Sequence, residues 1–212
     1  MSLPLIQAKD LDLELLDPGS TPLVRLFRHP GGKWEPPPEV HRNLRVDPPA
    51  GHKGAFAVLY TGNTLATVAI ECGVLRADVR DRYTWAADLA EQYRVVRYTF
   101  VAPALFVPID GPNREALGLA GSQRKFVAGY EPYQLVAHEL FQRYGNVVHG
   151  LSWESFHRNQ PGRVYAVWHQ HKPTIGLSIA TPAPFTPLVD DDEWKQFLAA
   201  NPEVEILMPP SR

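Results

Sequence analysis

Residues 56–71 read FAVLYTGNTLATVAIE, and this stretch decides how the rest of the chain is parsed. Its first five residues form an unbroken apolar run, the pattern of a strand buried on both faces. Thr64 is placed to cap the helix that follows, TLATVAIEC, which is apolar almost all round and is therefore expected to be buried. Working outward, RVVRYTFV (94–101) and ALFVPI (104–109) are rich in β-branched and aromatic residues and read as strands. Residues 147–151, 163–168 and 174–180 read the same way. Tyr133, Val136, Ala137, Leu140, Phe141 and Tyr144 recur at helical spacing, and Gly145 stands where that helix would end. Asp192 is placed to cap a last helix through Ala200, closed by Asn201 and Pro202. Strands that come in pairs, rather than alternating strictly with helices, predict an α+β fold: a mixed β-sheet core with flanking helices.

The 21 prolines cluster at 29–49 and 181–187. Each proline fixes φ and removes an amide donor, so neither cluster is a central strand or helix interior. Both are expected to be surface loops packed on the domain. With 212 residues, 44% hydrophobic and 21% charged, the chain can build an ordinary core without staples. A formal charge of −2 with scattered Lys and Arg gives no field to recruit nucleic acid or anionic lipid. The single cysteine, Cys72, leaves no intrachain disulfide framework and suits a reducing compartment. The first twenty residues are too polar and acidic for a signal peptide, and no apolar run reaches membrane-span length. A cytoplasmic protein without membrane association is expected.

Three features stand out chemically. Glu71 lies in the apolar helix, where a carboxylate removed from water costs several kcal/mol unless a cation or donors meet it, a penalty on the order of those for buried ions. Either it faces a ligand-holding cavity, or it is a helix-end residue turned to solvent near Gly73. Arg25 interrupts the strand-like run PLVRLF, and Arg45 sits between Leu44 and Val46 just before DPP. Each is either a surface arginine or one paired inward. Residues 150–168 place two strands around a polar loop holding Ser155, His157, Arg158 and Asn159, which is an ordinary hairpin loop or part of a site. Other patterns carry less. His169 and His171 have no third ligand spaced to make a metal site, and no metal is expected. Cys72 reads as a small buried hydrophobe blunted by the carboxylate beside it. Residues 190–193 (DDDE) read as a solvated helix start.

Taken together, an arginine in an early strand, a second in LRVDPP, and then FAVLYTGNTLATVAIE resemble the first half of the RES domain, a family named for arginine, glutamate and serine. Arg25, Arg45, Tyr60 and Glu71 match its pattern in order. YEPYQLVA (130–137) is similar to a helix start of the family, and GLSWES (150–155) to a segment that puts Ser155, not Ser152, at the family serine. The resemblance spans residues 23–168. It departs at Val46, where the family has an aromatic, and at Val24, where it often has Tyr; both positions are expected to line the pocket wall.

The resemblance implies a fold similar to ADP-ribosyltransferases and a bacterial toxin that consumes NAD⁺, with an Xre-like antitoxin protein blocking its active site. It divides the chain into an N-terminal extension (1–22), a RES-like catalytic domain (23–180) and a C-terminal extension with a short helix (181–212) packed on the same domain. The extensions are read as surfaces for self-association, hence a homo-oligomer, or for partner docking. The bond to be cleaved joins nicotinamide to ribose, with water or inorganic phosphate as acceptor, and no cofactor is implied. Glu71 would face the developing ribosyl cation. Arg25 and Arg45 would grip the pyrophosphate, one of them pairing with Glu71 in the empty enzyme. Tyr60 would stack on nicotinamide or donate its hydroxyl, and Ser155 would bind a phosphate or a ribose hydroxyl. Two other readings use the same pocket: a mono-ADP-ribosyltransferase acting on a protein, and an inert RES-like binding module.

Overall fold

The computed structural model describes residues 10–19, 22–77, 82–120, 129–155, 162–181 and 183–207. In chain order these form β1 (Glu14–Leu16), β2 (Leu23–Phe27), β3 (Val58–Gly62), α1 (Leu65–Glu71), β4 (Leu75–Ala77), β5 (Tyr83–Ala86) and α2 (Ala87–Ala90). There follow β6 (Arg94–Thr99), β7 (Ala104–Pro108), α3 (Asn113–Ala116), α4 (Glu131–Tyr144), β8 (Gly150–Glu154), β9 (Arg163–Trp168), β10 (Ser178–Ile179), α5 (Asp192–Ala200) and β11 (Glu205–Leu207). Eight strands make one mixed sheet in the order β1-β7-β8-β9-β3-β2-β6-β10. Only β7 and β8 run parallel, and the long connection between them carries α3 and α4. Strands β11, β5 and β4 form a second, small sheet. The α+β class expected from the sequence is the one observed.

The strand-and-helix stretch at the centre of the sequence is also central in space. β3 pairs along its length with β9, and Thr64 caps α1, its hydroxyl accepting from Thr67 N at 3.1 Å. Gly62 is required between them: a Cβ there would press on Val68 and Thr67, so the helix sits directly on the strand end. β2 pairs with β3 at a single position, Val24 opposite Gly62, whereas β2 and β6 pair over five. Past that position the β2–β3 ladder is interrupted, leaving a gap in the strand pairing.

Residues that alternate along a strand face opposite sides, so the core divides by face. On one side Val58, Leu151, Trp153, Val164, Ala166 and Trp168 pack against Val136, Ala137 and Leu140 of α4. On the same side Val24, Leu26 and Val95 pack against α1 and α5, with Trp194 1% exposed. On the other side Leu23, Phe27, Leu59, Val96, Phe106 and Val167 are closed over by Trp34, Ile175 and Leu177.

The first proline-rich loop is pinned down, as a loop with few backbone partners of its own must be. Tyr98 donates its hydroxyl to Lys33 O, and Lys172 donates to Trp34 O at 2.8 Å with its ammonium 4.0 Å above the Trp34 ring. Arg42 Nη1 donates to Lys53 O and Phe56 O.

Several boundaries differ from the sequence reading: the 56–60 strand runs over Val58–Gly62, the 94–101 strand ends at Thr99, the 104–109 strand ends at Pro108, and three further differences have a visible cause. The 174–180 strand shrinks to Ser178–Ile179, because the chain turns through Gly176 at φ +60°. The 147–151 strand begins at Gly150, with Val147 exposed in the turn after α4. Asp191, not Asp192, caps α5, accepting from Glu193 N at 3.1 Å. The DDDE run is correspondingly not a merely solvated helix start. Asp191 is buried and grips Arg97 of β6 through both oxygens (2.9 and 2.8 Å), while Glu193 bonds Arg97 and caps Leu65 N of α1.

His169, at the end of β9, gives the fold an acid-sensitive point. Burial, then the charges of Lys172 and Arg25, hold its imidazole down to about 3. A depressed histidine stabilises the folded state above its ordinary value near 6.5, and this contribution is lost as pH falls towards 3. Thermal melts between pH 7 and 4 should therefore show a shallower acid decline in His169→Gln than in wild type; parallel declines would refute this role.

Candidate active site

The five residues singled out from the sequence form one connected set around the gap between β2 and β3. If the antiparallel register from Val24–Gly62 continued, Leu26 would lie opposite Tyr60. The Arg25 guanidinium bridges the opening instead, donating from Nη1 to Tyr60 O and from Nε to Gly32 O, both at 2.9 Å. It thereby ties β2, β3 and the proline-rich loop together, and of its three nitrogens only Nη2 has no hydrogen-bond partner among the described residues.

Tyr60 carries the connection to Arg45. Its hydroxyl donates to Asp47 Oδ1 at 3.1 Å and accepts from Val46 N at 3.3 Å. Burial, then the Asp47 charge, pushes the phenol well above its ordinary range. Asp47 is itself 2% exposed, and burial raises its carboxyl against the bonds from Leu44 N and Tyr60 that pull it down. In this structure the Tyr60 O–H donates to Asp47, and its ring lies edge-on to Trp153 at 6.3 Å.

Arg45 is held by aromatic rings. Its guanidinium carbon lies 5.6, 5.5 and 5.7 Å from the ring centres of Tyr130, Tyr133 and Trp153. Cation–π attraction of this kind contributes about 0.5–2 kcal/mol per ring, more where water is excluded. Gln134 of α4 donates to Leu44 O at 2.8 Å and fixes the loop that presents Arg45. The two departures from the family pattern do not line a pocket wall, as the sequence had suggested. Val46 (0% exposed) and Val24 (1%) are core residues, and the aromatic character beside Arg45 comes from Trp153 and α4.

Trp153 and Ser155, two apart and hence facing the same side, carry the set on to Glu71. Ser155 is buried and donates its hydroxyl to Glu71 Oε1 at 2.8 Å. Glu71 itself is exposed, so of the two readings the sequence left open, the helix-end residue turned to solvent near Gly73 is the one observed. It is the last residue of α1; the chain then leaves the helix through Gly73 at φ +70°, so the side chain emerges at the protein surface. Among the described residues it makes no ion pair with Arg25 or Arg45, and its second oxygen has no hydrogen-bond partner. Cys72, beside it, is half-buried, and burial first, with Glu71 adding, raises its thiol against the nearby Arg25 and Tyr93.

Sequence reasoning passed over Asp47, Trp153, Gln134, Tyr133 of α4 and Tyr130 just before it as parts of the site. The DPP turn beside Arg45 was the available signal for Asp47. His157, Arg158 and Asn159 lie outside the described residues. Among the described residues no three His, Cys, Asp or Glu side chains come together as metal ligands would, and His171 Nε2 contacts Gly145 O. No helix among them is long and apolar enough to cross a membrane.

The RES domain profile matches residues 22–190, a span that holds Arg25, Arg45, Tyr60, Glu71 and Ser155. The chain belongs to the RES-domain family. Its fold is similar to a chain in the crystal structure of the M. tuberculosis MbcT–MbcA toxin–antitoxin complex, with a TM-score of 0.50 and 18% identity over 84% of this chain and 91% of that one. No curated protein sequence matches it. The RES match ends at residue 190, before α5, and begins after β1, so both chain ends add elements to it. β1 extends the main sheet by pairing with β7, and α5 buries Trp194 against α1.

Proposed function

We propose that this RES-domain protein is an NAD⁺-depleting toxin that cleaves the bond between nicotinamide and ribose. The observation that carries this reading is the Glu71 carboxylate, fixed through one oxygen by the buried Ser155 hydroxyl and, among the described residues, without a hydrogen-bond partner at the other, near the break in strand pairing bridged by Arg25. In the reaction the C1″–N bond breaks, its electron pair passes to the nicotinamide ring, and positive charge grows on the ribose. A carboxylate held in place before that charge appears stabilises the transition state more than the ground state. Arg25, through Nη2, and Arg45 in its aromatic cage supply positive charge for the pyrophosphate. The partly exposed Tyr60 ring offers an apolar face for nicotinamide. An oxygen of water or of inorganic phosphate then attacks C1″ and gives up its proton.

We further propose a cognate antitoxin protein that covers this face, since the MbcT–MbcA structure is a toxin–antitoxin complex, and a cytoplasmic site of action, where NAD⁺ is held. The deciding experiment incubates the purified full chain with NAD⁺, with and without phosphate, and separates the products chromatographically. Free nicotinamide with ADP-ribose marks a glycohydrolase, and with ADP-ribose 1″-phosphate a phosphorylase. Label from NAD⁺ retained on protein would instead mark a mono-ADP-ribosyltransferase, and NAD⁺ that survives high enzyme concentration would mark an inert module.

A further inference from the structure

We infer that Glu14 and Asp110 are positioning residues for the Ser155–Glu71 pair, acting through Arg163 from the opposite face of the sheet; this rests on the NAD⁺-cleavage reading. Five polar side chains meet there. Glu14 Oε2 accepts from Ser152 at 2.6 Å and from Arg163 Nη2 at 2.7 Å, and Glu14 Oε1 accepts from Tyr165 at 2.8 Å. Arg163 Nη1 reaches Asp110 at 3.4 Å, and the same Asp110 oxygen accepts Glu154 N at 2.6 Å. Ser152 is fully buried and Tyr165 nearly so, while the side chains of Glu14, Arg163 and Asp110 are 23%, 24% and 26% exposed, so the ion pairs close over a buried hydroxyl pair at the edge of solvent.

The cluster grips the stem from which Ser155 projects. Glu154 and Arg163 are the last pair of the β8–β9 ladder, and Asp110 holds the backbone of one and the guanidinium of the other. One step further on, Ser155 N donates to Gly162 O at 2.7 Å, and Arg163 N donates to Asn63 Oδ1 at 2.9 Å. Gly162 lies so close to α1 that a Cβ would collide with Thr67 Oγ1, and Glu71 follows Thr67 by one helical turn. A contiguous path thus runs from Glu14 to the stem, from the stem to the wall of α1, and across the Ser155 hydroxyl to Glu71. Glu14 lies on β1, outside residues 22–190, so an element that the family match does not include is built into the support of the site.

Contiguity becomes coupling only where a double-mutant cycle shows it. Glu14→Gln and Asp110→Asn, made in the full chain, should each lower kcat for NAD⁺ about tenfold with KM within about twofold; in a Ser155→Ala background the further loss should stay below about twofold. Equal losses in both backgrounds would overturn the inference, because a general weakening of the fold adds independently of Ser155. Amide hydrogen exchange gives a second reading that needs no turnover. The Ser155 and Arg163 amides should exchange faster in both variants while those of α5 do not change, and unchanged exchange at the stem would also overturn it. If the wild-type chain leaves NAD⁺ intact, the functional reading fails, and the exchange data still decide whether these two carboxylates hold the stem.

Discussion

Glu71→Gln is expected to lower the rate of NAD⁺ cleavage by about 10²–10³-fold, the loss typical when one preorganised electrostatic group is removed from a transition state. The substitution keeps the shape of the side chain and an oxygen that can still accept from Ser155 Oγ. What it removes is the negative charge that would face the ribosyl cation. Because Glu71 is exposed at a helix end, the fold should hardly notice: surface changes of this kind stay within about 0.5 kcal/mol, or roughly 2 °C in Tm for a chain of this size. Chromatographic release of nicotinamide measures the first effect and a thermal melt the second. In cells, expression of wild type should arrest growth and lower NAD⁺, and Glu71→Gln should relieve both. Arrest that persists in Glu71→Gln would remove Glu71 from the mechanism, whereas a large fall in Tm would show that its role is to hold α1.

How much of this was legible in the sequence depends on the range of the interaction. β3, α1, α4 and β9 were readable because each has a local signal: an unbroken apolar run, a capping threonine, a helical repeat of apolar residues, or β-branched alternation. β1, β4 and β11, three residues each, are too short to carry a pattern and exist because neighbouring strands offer them partners. The orientation of Glu71 was left open between two readings for a related reason. The apolar sequence around it describes the helix, while its own exposure is set by where the helix stops, at Cys72 and Gly73. The side-chain bonds of the site were beyond local reading altogether. Ser155 and Glu71 are 84 residues apart, and nothing near either one shows that they meet. Arg45 looked ambiguous because its cage is drawn from α4 and β8, about a hundred residues downstream in the chain. The DDDE run looked solvated because its partner, Arg97, lies 94 residues before Asp191.

Arg25 tests whether the gap between β2 and β3 is a built feature, since its guanidinium replaces the strand pairing that stops at Val24. Alanine there leaves Tyr60 O and Gly32 O without their donors, and hydrogen bonds from a charged group contribute about 1.5–3 kcal/mol each. Solvent reaches this half-buried residue, so the combined loss should fall near the lower end, about 2–4 kcal/mol, and lower Tm by roughly 5–12 °C. Arg25→Lys should recover only part of this, because one ammonium cannot hold two carbonyls in the directions a planar fork does. On the functional reading, both variants also raise KM for NAD⁺, since they lose the nitrogen that remains for the pyrophosphate. Thermal melts and NAD⁺ saturation curves on the same preparations separate the two effects. A Tm within about 2 °C of wild type in Arg25→Ala would mean that the strands keep their separation without the guanidinium. Arg25 would then serve the ligand alone, and the gap would have to be held open by the packing of Val24 and Leu26 beneath α1.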